Sequence, residues 1–259
     1  MTKLQRVSLY GFCAFVVLAV AISYLMGATL FVEPEKPWHM QPFTDADSLT
    51  AEYTGKYELL GKKSLQSRFT DSTRITVVIL VDAWGAPFDE HLLAEDFSIF
   101  KDLPHKEFLH HRLANRTRHA EFAELRIPGD STSSRDGVYL FGGDSLEYGR
   151  NLYIDSLGYG ERLFCQKCSD SVMLGKLDSL LSLDSLFGSE EAKVIALTTQ
   201  NSRDGDRAKL RATLRGIADV ARKHSGVRFT IQGTHRPILG DPQIRRESFT
   251  HWVPAVVIN

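Results

Sequence analysis

The clearest pattern along the chain is a series of short apolar runs set between longer amphipathic or polar segments. Ile75 to Val81 reads "ITVVILV", an apolar run with almost no polar alternation. Such a run marks a strand buried on both faces, and hence a mostly parallel sheet covered by helices. Comparable runs recur as "KVIALTT" (Lys193 to Thr199), "VRFTIQ" (Val227 to Gln232) and "WVPAVVI" (Trp252 to Ile258). Between the second and third lies "DRAKLRATLRGIADVARKH", with Leu210, Leu214, Ile217, Ala218 and Ala221 at helical spacing, so this part predicts a strand-helix-strand crossover. "HLLAEDFSIFKDL" and "SVMLGKLDSLLSLDSLF" predict two further helices. The alternation predicts an α/β domain over residues 74–259, a mostly parallel central sheet flanked by helices.

Ahead of that domain the pattern changes twice. From Val7 to Val32 no residue is charged, a length that crosses a bilayer core of about 30 Å. This predicts one transmembrane helix, with a cleaved signal peptide as the alternative. Lys3 and Arg6 precede the run, while Lys36 is flanked by Glu33 and Glu35. The charge bias predicts a cytoplasmic N-terminus (residues 1–6) and an extracytoplasmic domain. Residues 33–73 mix Pro, Gly, Ser and charge with little periodicity and read as a juxtamembrane stalk.

Composition narrows the function classes. With 259 residues, 43% of them hydrophobic, the chain can bury one substantial core. A formal net charge of -1 offers no basic surface for a polyanion and argues against nucleic-acid binding. Three cysteines are too few for a disulfide scaffold or a zinc ribbon, but Cys165 and Cys168 can pair with each other in an oxidising compartment. "NRT" at Asn115 fits a glycosylation sequon.

In open α/β sheets ligands gather beyond the carboxyl ends of the strands. Asp82 ends the first run, His235 follows "FTIQGT", and "TTQNSR" ends the "KVIAL" run. A fourth candidate is "IPGDSTSSRDGVYLFGG", whose Gly129, Ser131, Thr132, Ser133 and Ser134 suit a turn into a helix N-terminus that favours an anion. Singly, each has a structural explanation as a cap, a turn or a satisfied polar residue. Trp84 and Phe141 fit either a pocket lining or the core.

Taken together, these segments resemble the lipoteichoic-acid-synthase and phosphoethanolamine-transferase branch of the alkaline phosphatase/sulfatase superfamily. "VVILVDAWG" is similar to that branch's "LVESWG" strand end, whose acidic residue is a metal ligand. "STSSRDGVYLFGG" resembles its nucleophile segment, with Thr132 on the nucleophile and Asp136 on an acidic position. "LGYGERLFCQ" resembles a family "LGY" element, and "VIALTTQNSR" resembles a strand ending in a substrate loop, where Gln200 and Asn201 stand and no His does. "FTIQGTHRPILGD" is similar to the family's Gly-Asp-His-x-Pro-Pro segment, and "RRESFTHWVPAVVIN" to the Val-Pro strand that follows it.

The resemblance implies an extracytoplasmic hydrolase or transferase acting on a phosphate or sulfate ester carried by an envelope glycan or lipid. It further implies Thr132 as nucleophile, Asp82 and His235 as ligands of a divalent metal (Mn or Zn), and Arg135, Arg236 and Gln200 as substrate-binding residues. The metal supplies what a plain alcohol lacks, a lowered hydroxyl pKa and charge neutralisation, and guanidinium groups suit oxyanions. Thr234 stands where the family has Asp and removes one anionic ligand, which weakens any such site; Asp241 is more naturally a turn residue than a replacement for it. The alternative is a catalytically degenerate binding or scaffold module of the same fold. A thiol-based role for Cys165 and Cys168 is a third reading.

Overall fold

A computed structural model describes residues 11–12, 14–18, 49, 51–61, 75–112, 116–126, 135–142, 153–183, 194–200, 205–238 and 247–259. The chain divides into two units, Met1–Asp45 and Ala46–Asn259. In the first, residues 11–12 and 14–18 are helical. Among the described residues no helix is long and apolar enough to cross a membrane; the rest of the apolar run at 7–32 lies outside them.

The second unit is built on an eight-stranded sheet. Its strands are β1 (Glu58–Leu60), β2 (Thr76–Val81), β3 (His105–His111), β4 (Arg135–Gly142), β5 (Tyr159–Cys165), β6 (Val194–Thr198), β7 (Arg228–Gly233) and β8 (Trp252–Ile258). They lie in the order β1-β3-β8-β7-β2-β6-β4-β5. Every pairing is parallel except the two made by β8, which runs antiparallel to β3 and β7. The sheet is thus mixed, with one reversed strand inside an otherwise parallel array. Five helices accompany it among the described residues: α1 (Ala51–Lys56), α2 (Glu90–Phe97), α3 (Thr117–Glu124), α4 (Asp170–Leu181) and α5 (Arg207–Lys223).

The central strand β2 is buried at every position, as its unbroken apolar run requires. Val77, Ile79 and Val81 share a cluster with Leu93 and Phe97 of α2, Leu177 of α4 and Leu214 and Ile217 of α5. Val78 and Leu80 point the other way, to Ala120 of α3 and to Tyr139, Phe141 and Tyr153. The period-2 alternation therefore feeds two cores, and each fully buried Val, Leu or Ile contributes about 1.5–3 kcal/mol. Trp84 and Phe141, read as pocket or core, are both core, at 0% and 4% exposure.

Two expectations are corrected. Residues 51–60 have the composition of a stalk, yet they form α1 and β1; β1 pairs with β3, and Tyr53, Tyr57 and Leu60 are buried. Three residues of strand are too few to show a period. The polar letters of "STSS" predict a helix after them, but 135–142 is strand β4, paired on both sides with β5 and β6. Its β-branched and aromatic content, "VYLF", outweighs the turn letters before it.

Candidate active site

The turn that follows β2 is tightly built. Ala83 adopts φ 57, the left-handed region that L-residues other than Gly and Asn seldom use. The β7 end crosses this turn in direct backbone contact, since a Cβ on Gly233 would fall 1.8 Å from the Trp84 carbonyl oxygen. Only glycine fits there. Thr234 N donates to Val81 O at 3.0 Å, Ala83 N to Thr234 Oγ1 at 3.2 Å, and Asp82 N to Thr199 Oγ1 at 3.1 Å. The carboxyl ends of β2, β6 and β7 are in this way stitched into one rim, with Asp82 and His235 on it.

Helix α3 brings the third element. Its first residue, Thr117, donates its hydroxyl to Asp82 Oδ1 at 2.8 Å and lies 3.0 Å from His235 Nε2. Thr234 Oγ1 donates to the same Asp82 oxygen at 2.9 Å, and His235 Nε2 stands 3.4 Å from it. His235 Nδ1 donates to the Arg236 carbonyl at 2.6 Å, which turns Nε2 toward Thr117. All four side chains are buried: Asp82 1%, Thr117 2%, Thr234 0% and His235 1% exposed.

Asp82 and His235 thus converge as their positions at strand ends imply. The hydroxyl that meets them is that of Thr117, which the sequence pattern does not single out; Thr132 lies outside the described residues. A signal is nevertheless present: residues 117, 120, 121 and 124 form the buried face of α3, an i, i+3, i+4, i+7 pattern written in Thr and Glu as well as Ala.

The expected substrate residues divide. Arg236 follows His235 and its Cα packs against Gly85. Gln200 sits at the same edge, past Thr199, its backbone N donating to Asp170 Oδ1 at 2.8 Å, while its Nε2 is buried without a hydrogen-bond partner among the described residues. Arg135 opens β4, and register aligns Gly137 with Val194 and Val194 with Thr76. At ~3.3 Å per residue this sets the Arg135 backbone roughly 25 Å from Asp82, at the opposite edge of the sheet. Arg135 is therefore no part of this cluster. Asn201 and Asp241 lie outside the described residues.

A cation would meet four donor atoms here: Asp82 Oδ1, Thr117 Oγ1, Thr234 Oγ1 and His235 Nε2. Their hydrogen-bonding separations of 2.8 to 3.4 Å match ligands sharing one ion, which stand roughly 3–3.5 Å apart. A carboxylate oxygen and an imidazole nitrogen also approach each other to 3.4 Å. To a divalent ion the set offers one carboxylate and one imidazole beside two hydroxyls. Among the described residues no group of three or more His, Cys, Asp or Glu side chains comes together.

Cys165 and Cys168 form a disulfide that closes the end of β5 ahead of α4. The main chain reverses around Lys167, whose φ is 54, and the Cys168 carbonyl lies beside Gly142 at the end of β4. These sulfurs are joined at the far side of the rim from Thr117, with β6 and β4 between.

The mixed sheet and its flanking helices are similar in fold to two solved structures. A solved structure of a protein in the alkaline phosphatase superfamily from Vibrio parahaemolyticus aligns with a TM-score of 0.56 at 12% identity, covering 74% of this chain and 61% of its own. The lipoteichoic acid synthase LtaP from Listeria monocytogenes aligns with a TM-score of 0.51 at 8% identity, covering 72% of this chain and 65% of its own. The chain spans less than two thirds of each of these structures. No protein-family profile and no curated protein matches the sequence.

Proposed function

We propose that this protein is a membrane-anchored, extracytoplasmic hydrolase or transferase that acts on a phosphate or sulfate ester through Thr117. The observation that carries the reading is the Thr117 hydroxyl, held between Asp82 Oδ1 and His235 Nε2 at the first residue of a helix. The apolar run at 7–32 serves as the anchor, and the ester belongs to an envelope glycan or lipid.

In this reading Thr117 Oγ1 attacks the phosphorus or sulfur, and the bond to the ester oxygen breaks as the new Oγ1 bond forms. The hydroxyl proton passes to His235 Nε2, whose ring the Arg236 carbonyl holds in the receptive tautomer, and from there to the departing ester oxygen, which frees the imidazole for the second step. The free amides of the first turn of α3 and the Arg236 guanidinium bind the oxyanion. Water, or an acceptor alcohol in a transferase, then displaces the group from Thr117, with His235 as base. Were a manganese or zinc ion bound, Asp82, His235, Thr117 and Thr234 would hold it, His235 then serving as a ligand in place of the base, and the ion would supply charge neutralisation and a more acidic hydroxyl.

The experiment is hydrolysis of aryl phosphate and aryl sulfate esters by the full chain with added manganese or zinc. Wild type turns over, and Thr117→Ala loses at least ~10³-fold, as expected when the nucleophile itself is removed. Undiminished activity in Thr117→Ala removes the mechanism.

One observation favours a second reading, a binding or scaffold module that kept the fold. The four groups satisfy one another, are at most 2% exposed, and include one carboxylate where tight binding of a hard cation wants several. Metal analysis of the purified protein separates the two: about one ion per chain for the enzyme, none for the scaffold.

A further inference from the structure

Behind the cluster lies a second set of buried polar groups that the proposed chemistry does not use. Arg112, just past the end of β3, is 5% exposed, and Glu124, the last residue of α3, is 0% exposed. Arg112 Nη1 donates to Glu124 Oε1 at 2.9 Å, and Nη2 donates to the Gly233 carbonyl at 3.1 Å. The Arg112 backbone N donates to the His251 carbonyl at 2.6 Å. His110 Nδ1 lies 3.0 Å from Gln232 Oε1 and 3.6 Å from Glu124 Oε1. One guanidinium therefore joins the end of β3, the last turn of α3, and the residue immediately before Thr234 and His235.

Stability alone is a poor reason for this ion pair. Desolvation lowers the Arg112 pKa and is the largest influence on it, with Glu124 opposing. A buried pair often gains nothing over apolar packing of the same volume. What the rigid, planar fork supplies is fixed geometry between two partners. Its partners here are the helix that carries Thr117 and the strand end that carries His235.

We propose that Arg112, with Glu124, is a positioning residue that sets the separation of Thr117 Oγ1 from His235 Nε2. This rests on the reading of Thr117 and His235 as one site. Helix α3 is eight residues long, so Glu124 anchors one end while Thr117 rides on the other. A small tilt at the anchor becomes a displacement at the hydroxyl, and a 1 Å misplacement costs about 10²-fold in an oriented reaction.

The test places a reporter at the hydroxyl position. In full-length Thr117→Cys, the iodoacetamide alkylation rate of the introduced thiol is read by mass spectrometry of its peptide, then repeated with Arg112→Lys, Glu124→Gln or Tyr139→Phe added. The proposal expects Arg112→Lys and Glu124→Gln each to shift that rate by about tenfold or more. It also expects Tyr139→Phe, which loosens α3 from its other side, to shift it less. An unchanged rate in folded Arg112→Lys overturns the proposal, as does an equal shift in Tyr139→Phe. If Arg112→Lys does not fold, Glu124→Gln decides by the same criterion. Ester hydrolysis is measured in parallel on the Thr117 parent and its Arg112→Lys variant: kcat falls at constant KM. Wild type that hydrolyses no ester while the alkylation rates at position 117 shift as expected sinks the catalytic reading and leaves the positioning role standing.

Discussion

Helices α3 and α5 both pack on the sheet, and the balance of apolar area and directional bonds differs between them. Helix α5 buries Leu210, Thr213, Leu214, Ile217, Ala218, Val220 and Ala221, a wide and mainly apolar stripe, and adds bonds from Arg207 to Asp96, Thr213 to Asp170 and Arg222 to Asp102. Helix α3 buries Thr117, Ala120, Glu121 and Glu124 and is fixed by named bonds. Tyr139 OH donates to Glu121 Oε1 at 2.9 Å, Tyr153 OH donates to Glu121 Oε2, Tyr159 OH donates to the Leu125 carbonyl at 2.7 Å, and Arg112 grips Glu124. Apolar contact is non-directional and lets a helix slide or rotate slightly at little cost. Hydrogen bonds in a dry interior tolerate little misalignment. Directional bonds therefore dominate where α3 sets the Thr117 hydroxyl beside Asp82 and His235.

The largest stability effect should come from the apolar helix. Leu214→Ala opens a cavity under α5 and is expected to cost about 2–5 kcal/mol by denaturant unfolding, with ester hydrolysis per folded molecule unchanged. On α3 the order reverses. Tyr139→Phe removes one partner of Glu121 and of Thr198, expected to cost about 1–3 kcal/mol, and here kcat falls with it. Equal loss of kcat per folded molecule in the two variants would erase the distinction. Thr117→Ser keeps the hydroxyl and should retain most hydrolysis, whereas Thr117→Ala should not.

The smallest effect concerns pH. Asp96 of α2 accepts from Trp84 Nε1 at 3.1 Å and from Arg207 Nη2 at 2.7 Å. Burial raises its pKa, with Arg207 the largest opposing influence. A carboxyl whose folded pKa lies above its unfolded value is protonated more readily in the folded state. Stability then declines as pH rises from the ordinary Asp value of about 3.9 toward the raised one. Asp96→Asn should flatten that decline in urea midpoints measured across the interval; an unchanged slope would assign it to other groups.

The same contrast explains what the sequence disclosed. Strands β2, β6 and β8 are readable because burial on two faces leaves nearly every letter apolar, β7 is readable despite its buried Thr230 and Gln232, and α5 because its stripe is mainly apolar. Asp82 and His235 stand out as polar residues where such runs stop. Helix α3 is invisible to a search for apolar period, because Glu121 and Glu124 look like solvent-facing residues until Tyr139, Tyr153 and Arg112 arrive from distant parts of the chain. The letters favour Thr132 because "STSS" resembles a helix entry; that residue lies outside the described ones, and from 135 the chain is strand β4.

The bridge between Cys165 and Cys168 has a practical corollary. Two sulfurs three positions apart remain reduced wherever glutathione is abundant and become joined beyond the cytosol. The redox state of that pair, trapped by acid quench and thiol labelling of intact cells, would report on which side of the bilayer the sheet resides. It does so without fractionation or a fused reporter, and the sulfurs lie apart from Thr117, so the label leaves the threonine untouched.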